Sequence, residues 1–474
     1  MQESKAPAHL SRGFFFGARG VGVGRAGGEA GGRAGMWRFP VDAGSGRCAK
    51  DVLMGDDVHT RRESNHAADD PGDRALLDMA ARAAYRGIGN VEPNPLVGAV
   101  ISRVAVSGAG RSASEALARV VSVGHHRRFG DVHAEVDTLA RARALGADVR
   151  GCIMHVTLEP CNHTGKQPPC TGAIVAAGIA EVVIARADPN PLAAGGAEFL
   201  RERGVRVRFS EASGNAITLS EPFMKRIRGE QPWVVAKWAQ TIDGRIATRT
   251  RDSKWISSER SRRHVHLLRA RVDAIITGVG TLAADNPMLT ARDVPLRRDG
   301  RAALRVLVDP MLRGVIQHLD ESRSMFDEAA PVLVVTLDRS AIDHHRAVER
   351  IRRGGASVLT FPAIGLGEID LGAMLATLRR EHNVNTAMIE AGGRLTGWLM
   401  SRGLIDECQV YIAPMVMGDP SALGPANTTF APSIAELPRW RVVDHRAIGP
   451  DIRLVYRKAE AGWARAARGS ALDP

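Results

Sequence analysis

Apolar positions recur at helical spacing from residue 73 onward, and helix-like and strand-like segments then alternate along the chain. The first helix is predicted over residues 73–87, with an apolar face formed by Leu76, Leu77, Ala80, Ala83 and Ala84. An apolar strand follows at 96–101. Further helices are predicted at 134–145, after Cys170 and at 198–204, and further strands at 152–158, 180–185 and 205–209. This alternation is typical of βαβ units, so we expect a mostly parallel sheet with helices on its faces.

A second region of alternation begins after a polar helix predicted at 219–228. We place a domain boundary between Gly229 and Pro232, because both residues interrupt regular structure. Strands are predicted at 233–240, 273–278, 304–309, 331–336, 356–361, 385–390 and 408–413, with helices between them. Two further strand-like runs, 439–445 and 451–457, predict an antiparallel hairpin at the end of the sheet. No repeat of 20–50 residues is visible.

Both ends of the chain lack a hydrophobic period. Residues 1–50 hold twelve glycines, six arginines and only three acidic residues. We therefore predict that residues 1–70 are a disordered or low-complexity extension and that 461–474 form a flexible tail. An organelle transit peptide and an upstream start that is not translated remain alternatives for the extension. The G-x-G-x-x-G pattern of Gly22, Gly24 and Gly27 has no strand before it and no helix after it, so we attribute it to glycine content.

Composition narrows the class of protein. The 474 residues suffice for two or three domains, and the 44% hydrophobic and 24% charged residues are ordinary for a water-exposed globular chain. No apolar run is long enough to cross a membrane. Five cysteines are too few and too irregular for a disulfide framework, so we expect a reducing compartment, the cytoplasm.

One cluster of motifs has the chemistry of a catalytic zinc site. His133-Ala134-Glu135 opens a predicted helix, while Cys161 follows a strand and Cys170 lies nine residues later. Taken singly, such a histidine is usually a surface residue and such cysteines are usually buried thiols. Together they supply three ligands and leave the fourth tetrahedral position to water, whose pKa zinc lowers, and Glu135 can move the proton. H-x-E with P-C-x-x-C is the signature of zinc nucleobase deaminases, although here eight residues rather than two separate the cysteines.

Two glycine turns in the second half indicate a nucleotide. Gly278-x-Gly280 and Gly392-Gly393 each lie between a predicted strand and a helix, where backbone N–H groups can receive a phosphate. Each turn alone is equally consistent with a helix cap. Two in one domain favour a dinucleotide.

The segments PNPLVGAVI, HAE, TLEPCNHTGKQPPC and ADPNP resemble the deaminase half of the bifunctional riboflavin-biosynthesis deaminase/reductase family. The resemblance implies an α/β protein, with a cytidine-deaminase-like zinc domain over 73–229 followed by a dihydrofolate-reductase-like domain over 230–460. It implies Zn²⁺ on His133, Cys161 and Cys170, with Glu135 as the catalytic residue. It also implies substrate contacts at Asn94, His163, Lys166, Asp188 and Asn190.

The segments KWAQTIDGR, DSKW, ITGVGTLAADNPMLTAR and EAGGRLTGWLM resemble the reductase half of the same family, which uses NADPH. The likeness assigns to the cofactor Gln240, Trp255, Thr281, Asp285, Gly392, Gly393, Arg394, Leu395, Thr396, Gly397 and Trp398. It assigns to the substrate Ser253, Arg269, Leu289, Arg292 and Glu390. Lys237 and Asp243 are candidates for electrostatic help or for a structural role at a strand end. Pro310 stands where the family commonly has a small polar residue, and proline has no N–H to donate.

The implied activity is hydrolytic deamination of a diaminopyrimidinone ribosylamine phosphate, followed by NADPH reduction of its ribosyl chain to ribityl. The partners expected are therefore this phosphorylated substrate and other copies of the chain, but neither nucleic acid nor a membrane. The sequence departs from the family between Ile101 and Gly124, where about a dozen extra residues stand before the expected substrate contact His126. An inactive deaminase domain attached to a working reductase is therefore an alternative.

A third hypothesis comes from another class. The zinc motif and the net charge of +12 are compatible with a protein that edits or binds nucleic acid. However, aromatic residues make up only 4% of the chain and the arginines are dispersed, so no stacking surface is indicated.

Overall fold

The computed structural model describes residues 70–104, 112–295, 300, 302–318, 324–428 and 433–459. Apart from Asp70, the predicted N-terminal extension, with its glycine pattern, lies outside these residues. So does the predicted tail at 461–474. Those interpretations therefore stay predictions.

The first half forms a five-stranded sheet flanked by helices. Its helices are α1 (Pro71–Ala84), α2 (Ala113–Ala118), α3 (Ala134–Ala144), α4 (Cys170–Ala176), α5 (Gly196–Glu202), α6 (Gly214–Leu219) and α7 (Glu221–Arg228). Its strands are β1 (Gly98–Ser102), β2 (Val120–His125), β3 (Ile153–Val156), β4 (Glu181–Ile184) and β5 (Arg206–Phe209). Across the described sheet the order is β2-β1-β3-β4-β5.

The prediction of a mostly parallel sheet holds for only part of this half. Strands β3, β4 and β5 are parallel, but β1 is antiparallel to both β2 and β3. Strand β2 runs back beside β1 after residues 103–119, which contain the short helix α2, and strands that reverse direction in this way pair antiparallel.

The second half forms a nine-stranded sheet within the described residues. Its helices are α8 (Glu259–Arg269), α9 (Val279–Asp285), α10 (Arg313–His318), α11 (Asp338–Asp343), α12 (His345–Arg353), α13 (Leu371–Glu381) and α14 (Gly393–Ser401). Its strands are β6 (Trp233–Gln240), β7 (Ala274–Gly278), β8 (Leu304–Val308), β9 (Val332–Leu337), β10 (Ser357–Phe361), β13 (Thr386–Ile389), β14 (Glu407–Ile412), β15 (Trp440–Ile448) and β16 (Asp451–Lys458), while β11 (Ala363–Ile364) and β12 (Glu368–Ile369) pair separately. Three-residue 3-10 turns lie at Tyr85–Gly87, Ser324–Phe326 and Ile434–Glu436.

The predicted hairpin at the end of this sheet is confirmed. The strand order is β10-β9-β8-β7-β13-β6-β14-β16-β15, with parallel pairing from β10 to β14 and antiparallel pairing of β16 with both neighbours. Apolar side chains cover both faces of the parallel part, which explains why strands such as β9 read as unbroken hydrophobic runs. Among the helices described, none is both long and apolar enough to span a membrane.

A buried charge network joins α7 to the second sheet. Arg457 of β16 donates from Nη1 to Glu221 Oε2 at 2.9 Å and from Nε to Glu407 Oε2 at 2.9 Å. One turn further along α7, the Nζ of Lys225 is 2.5 Å from Asp406 Oδ2, which also accepts from the backbone N–H of Val234. The two halves therefore share a junction of paired charges, in which removal of one partner would leave a buried charge uncompensated.

The described part of the extra segment between β1 and β2 adjoins one end of the first sheet. Ser102 pairs with Val120 beside the extra segment, whereas Gly98 pairs with His125 at the other end of the hairpin. Part of this segment, residues 105–111, is not described. The part that follows forms α2, whose Ser112 side chain accepts a hydrogen bond from the backbone N–H of Glu115 at 3.3 Å.

Candidate active sites

The three predicted metal ligands meet at the Gly98–His125 end of the first sheet. His133 is the N-terminal cap of α3, Cys161 lies in the loop after β3, and Cys170 is the first residue of α4. The Nδ1 atom of His133 is 3.4 Å from the Sγ of Cys161 and 3.3 Å from the Sγ of Cys170. A hydrogen bond from Cys170, together with His133, holds the pKa of Cys161 below its ordinary value, which favours the thiolate.

This donor set fits a zinc ion. The three ligand atoms lie within 4.8 Å of one another. Bonds of about 2.0 Å to nitrogen and 2.3 Å to sulfur, set tetrahedrally, separate ligand atoms by about 3.5 Å, close to the observed spacing. Among the described residues this is the group of histidine, cysteine and carboxylate side chains that has metal-binding spacing.

Glu135 lies in the first turn of α3, next to this cluster. Its side chain is buried, and burial raises its pKa to about 7. A carboxyl group with a pKa near the working pH can both accept and donate a proton. Its helix can pack closely because Gly124 of β2 has no side chain, since a Cβ there would lie 2.5 Å from the backbone N of Thr138.

The cluster opens into a cavity of 210 Å³ that holds all the predicted deaminase residues except the metal ligand Cys170. It is lined by Asn94, His126, His133, Glu135, Cys161, His163, Lys166, Asp188 and Asn190, among others. His126 is buried, with Nδ1 3.0 Å from the carbonyl oxygen of Val132 and Nε2 3.2 Å from Asn94 Nδ2. The extra segment therefore leaves His126 in the cavity, because that segment joins the opposite end of the hairpin.

Three further features of the cavity concern its backbone, its acidity and its charge. The buried Glu159 accepts hydrogen bonds from the backbone N–H groups of Asp188 at 3.1 Å and Ala197 at 2.9 Å. Burial raises the pKa of Asp188 to about 6. Lys166 is exposed, and its ammonium lies 4.0 Å from the centre of the Phe129 ring, a cation–π distance. The side chain of Phe129 thus holds a positive charge at the mouth of the cavity.

Sequence reasoning missed several residues of this site. Glu159, Phe129, Phe223 and Arg226 line the cavity, and Asp137 fixes the end of β2 by accepting from the backbone N–H of His125 at 3.1 Å. Glu159 lies inside the TLEPC motif, so its place in that motif was an available signal. The other four stand outside the recognised motifs.

The second half holds a cluster of three charged side chains that are 10–17% exposed. Arg269 of α8 donates from Nε to Glu390 Oε1 at 2.6 Å and from Nη2 to Glu390 Oε2 at 3.0 Å, and Lys237 Nζ is 3.5 Å from Oε2. Burial would raise the pKa of Glu390, but the charges of Arg269 and Lys237 outweigh it and lower this pKa to about 2. Burial also lowers the pKa of Lys237. Glu390 is therefore a fixed anion at the carboxyl end of β13.

The predicted substrate arginines differ in their surroundings. Because Arg269 is paired with Glu390, its guanidinium is already largely committed. Arg292 is exposed, and its Nη1 atom is 3.1 Å from the Thr290 hydroxyl. The buried side chain of Leu289 belongs to the core, so only its backbone can face a ligand. The loop that carries both residues is held by Arg305, whose Nη1 atom donates to the carbonyl oxygen of Met288 at 3.3 Å.

Two of the predicted cofactor residues, Thr281 and Gly392, join the two glycine turns. The backbone N–H of Gly392 donates to Thr281 Oγ1 at 3.1 Å, which joins the start of α14 to α9. A Cβ on Gly280 would meet no atom within 4 Å, and one on Gly392 only Thr281 Oγ1 at 4.0 Å, so both turns are open. An open glycine at a helix start lets a phosphate approach the backbone, so the arrangement fits a dinucleotide.

The remaining predicted cofactor residues fall into two groups. Arg394 is exposed beside the turn, Trp255 is 67% exposed, and Asp285 Oδ1 is 3.4 Å from the Ser253 hydroxyl. Gln240 accepts a hydrogen bond from the Trp238 indole at 2.7 Å. Along α14 the structure instead packs four residues against protein: Leu395, Thr396, Gly397 and Trp398.

Asp243 and Pro310, for which the sequence left the role undecided, make contacts that support the local structure. Asp243 accepts from the backbone N–H groups of Met417 at 3.0 Å and Gly418 at 2.9 Å, so it holds a loop. The Pro310 carbonyl oxygen accepts from the Thr336 hydroxyl at 3.1 Å. Lys237 reaches the charge cluster, so of the two candidate helpers it is the one placed with predicted substrate residues.

Comparisons with known families match both halves. Residues 71–186 match the cytidine and deoxycytidylate deaminase zinc-binding region, and residues 232–454 match the RibD C-terminal domain. The chain is 33% identical over 387 residues to the riboflavin biosynthesis protein RibD of Aquifex aeolicus, covering 81% of this chain and 98% of that protein. It is 34% identical over 384 residues to the Escherichia coli protein of the same name, with 81% and 98% covered.

Solved structures give the same result. RibD of Acinetobacter baumannii matches with a TM-score of 0.60 and 30% identity, covering 82% of this chain and 99% of that one. A deaminase/reductase from Thermotoga maritima, which acts on diaminohydroxyphosphoribosylaminopyrimidine and 5-amino-6-(5-phosphoribosylamino)uracil by its name, matches with a TM-score of 0.61 and 29% identity over the same shares.

Proposed function

Because this chain belongs to the RibD family of riboflavin-biosynthesis proteins, we propose roles in its reactions for residues of the two sites. The chain is a bifunctional enzyme of riboflavin biosynthesis, with a zinc-dependent deaminase domain and an NADPH-dependent reductase domain. We propose that these domains span residues 73–229 and 230–460. We further propose a phosphorylated ribosylaminopyrimidine as the substrate.

In the deaminase site, His133, Cys161 and Cys170 hold the zinc ion. Zinc supplies a Lewis acid that lowers the pKa of water and so makes a nucleophile at neutral pH. Glu135 takes the proton from the attacking water and passes it to the leaving amine. Asn94, oriented by its contact with His126, holds the pyrimidine. Asp188 and Asn190 line the pocket, and Glu159 fixes the backbone at Asp188 by accepting its N–H. His163 and Lys166 bind the ribose phosphate.

In the reductase site, the open turns at Gly280 and Gly392 receive the cofactor phosphates, together with Thr281 and Arg394. NADPH supplies the hydride. Glu390 orients the sugar chain of the substrate, while Lys237 and Arg269 keep that carboxylate ionised in its buried position. Ser253 and Arg292 bind the substrate phosphate, Arg292 as an exposed fork suited to bidentate contact.

One observation carries the deaminase assignment. A buried glutamate with a raised pKa stands beside three converging zinc ligands in a cavity that also contains the expected pyrimidine and ribose contacts. The alternative of an inactive deaminase domain gains no support from the cavity, because the extra segment joins the far end of the β1–β2 hairpin.

The test is direct. The purified full chain is incubated with the ribosylaminopyrimidine phosphate, with and without NADPH, and the products are separated. Without NADPH we expect the deaminated ribosyl compound and one ammonia per turnover, and with NADPH the ribityl compound. No ammonia in the presence of bound zinc would overturn the deaminase assignment, and no NADPH oxidation with the deaminated substrate would overturn the reductase assignment.

We also propose that the protein works in the cytoplasm as a homo-oligomer. The apolar side chains of Val442 and Ile452, 54% and 50% exposed on the terminal hairpin, support self-association. Light scattering after size-exclusion chromatography measures the mass, and a mass of 50.8 kDa at micromolar concentration would contradict the oligomer.

A further inference from the structure

Helix α7 brings an unassigned arginine into the deaminase cavity. Phe223 and Arg226, three residues apart, share one face of the helix and both line the cavity that contains Glu135. The Arg226 guanidinium lies 5.1 Å from the centre of the Phe223 ring. The aromatic ring therefore supports the charged end of Arg226 at the cavity wall.

Arg226 lacks a counter-charge in the described part of the chain. Its Nε atom is buried without a hydrogen-bond partner there. Elsewhere on α7 the charges are paired, as in Lys225 with Asp406 and Glu221 with Arg457. Burial lowers the pKa of Arg226, and the nearby charge of Arg379 lowers it further.

Arg379 belongs to α13 of the second half. Its Nε atom is also buried without a partner among the described residues. Two neighbouring guanidinium groups with unsatisfied buried donors repel each other and have lost hydration, and an anion would relieve both costs. The planar guanidinium forks suit the oxygens of a phosphate.

We propose that Arg226, with Arg379 behind it, binds the phosphate of the deaminase substrate, so that a helix of the reductase half contributes to the deaminase site. This inference rests on the proposed function. It supplements Lys166, whose exposed ammonium is screened by water, with a partly buried guanidinium. Neither arginine is among the residues that we assign to the reductase site.

The experiment measures deamination by the full chain of two substrates, the ribosylaminopyrimidine phosphate and the same compound without its phosphate. We expect Arg226→Gln to lower kcat/KM for the phosphorylated substrate about ten- to 100-fold, mainly through KM, and to leave the unphosphorylated substrate within about twofold. Arg379→Gln should show a smaller loss of the same kind, about three- to tenfold. Arg226→Lys should recover part of the loss. Inorganic phosphate should inhibit deamination by the wild type but much less by Arg226→Gln.

Matched controls are Arg228→Gln on α7 and Arg380→Gln on α13, both exposed, which should change neither substrate by more than about twofold. The wild type must deaminate the phosphorylated compound for the proposed function to stand, so failure there is separate from failure of this inference. If Arg226→Gln lowers both substrates equally, its role is structural and the inference is wrong. A change below twofold for the phosphorylated substrate would also overturn it.

Discussion

Each half of this enzyme has a glutamate that is largely withdrawn from water: Glu135 at the start of α3 and Glu390 at the end of β13. The pKa values of the two carboxyl groups are shifted in opposite directions. Burial raises the pKa of Glu135 to about 7, and the nearby His133 offsets this only in part. Glu390 is held by Arg269 and Lys237, so its pKa falls to about 2. Burial alone does not decide the protonation of a carboxyl group. The neighbouring charge decides it, and with it whether the group transfers protons or remains an anion.

The first and largest expected effect tests the proton-transfer side of this comparison. Glu135→Gln removes the group that moves protons but no zinc ligand, so we expect bound zinc to be retained and deamination to fall at least 10²- to 10⁴-fold. Reduction of the already deaminated substrate should be unchanged. Metal analysis and separate assays of the two half-reactions provide the measurements, and a parallel loss of reduction would show that the sites are not independent.

The second prediction concerns the fixed anion, Glu390. Glu390→Gln leaves the charges of Arg269 and Lys237 buried without compensation, so we expect the free energy of unfolding to fall by about 3–5 kcal/mol and reduction to be lost. Denaturant unfolding measures the first and NADPH oxidation the second. Glu368→Gln, in a pair with Arg402 that is about one third exposed, is the control and should change stability by less than about 1 kcal/mol. An equal loss of stability in both variants would contradict the role of Glu390 in compensating the charges of Arg269 and Lys237.

The third prediction follows from the pKa of Glu390. Its folded pKa lies below the ordinary value of 4.5, so the ionised group adds stability above pH 4.5, and this contribution is lost as the pH falls toward 2. The stability difference between the wild type and Glu390→Gln should therefore shrink over this range, by roughly 3 kcal/mol in all. Unfolding at a series of pH values measures it. A difference that stays constant from pH 5 to pH 2.5 would rule out a low pKa.

A fourth prediction sharpens the separation of the two halves. Lys166→Ala should lower deamination alone, and Arg292→Ala reduction alone, each about ten- to 150-fold, because a charge-assisted phosphate contact contributes on the order of 1.5–3 kcal/mol. Steady-state kinetics of each half-reaction decide the matter. A change below twofold would identify a solvated surface charge, and loss of both activities in one variant would argue for one shared pocket or for general misfolding.

The smallest expected effect concerns the extra segment. Ser112→Ala removes the N-terminal cap of α2, so we expect about 0.5–1 kcal/mol less stability and deamination within about twofold of the wild type. Ser112→Asp, which keeps a side-chain oxygen at the N-terminal cap, is the matched control and should retain the stability. A large loss of deamination in Ser112→Ala would connect the segment to the cavity after all.

Local motifs carried most of what could be predicted from the sequence. His133, Glu135, Cys161 and Cys170 are readable because a zinc site needs fixed ligand types at short spacings. The alternation of helices and strands is readable for the same local reason, since the side-chain period reports burial within one element. The terminal hairpin was correctly predicted on this basis.

Long-range features were harder to predict. The charge cluster joins residues up to 153 positions apart, and no pattern within one element reveals that Lys237 meets Glu390. No strand is predicted at 120–125, most of which lies in the region that departs from the family, so the antiparallel pairing of β1 with β2 is not predicted either. Arg226 looks like any basic residue on a polar helix, because its cavity exists only once the chain has folded.

Helix α7 lines the deaminase cavity and also pairs its charges with the reductase half. This limits how the protein can be divided. A cut after Gly229 would give the deaminase fragment its Phe223 and Arg226 but deprive Arg457 of Glu221. A cut before Gly214 would keep the Arg457 network in the reductase fragment and remove two residues from the cavity wall. No single cleavage point yields two complete fragments, so a lineage that separated the two activities onto different polypeptides would have to duplicate this helix or replace its contacts.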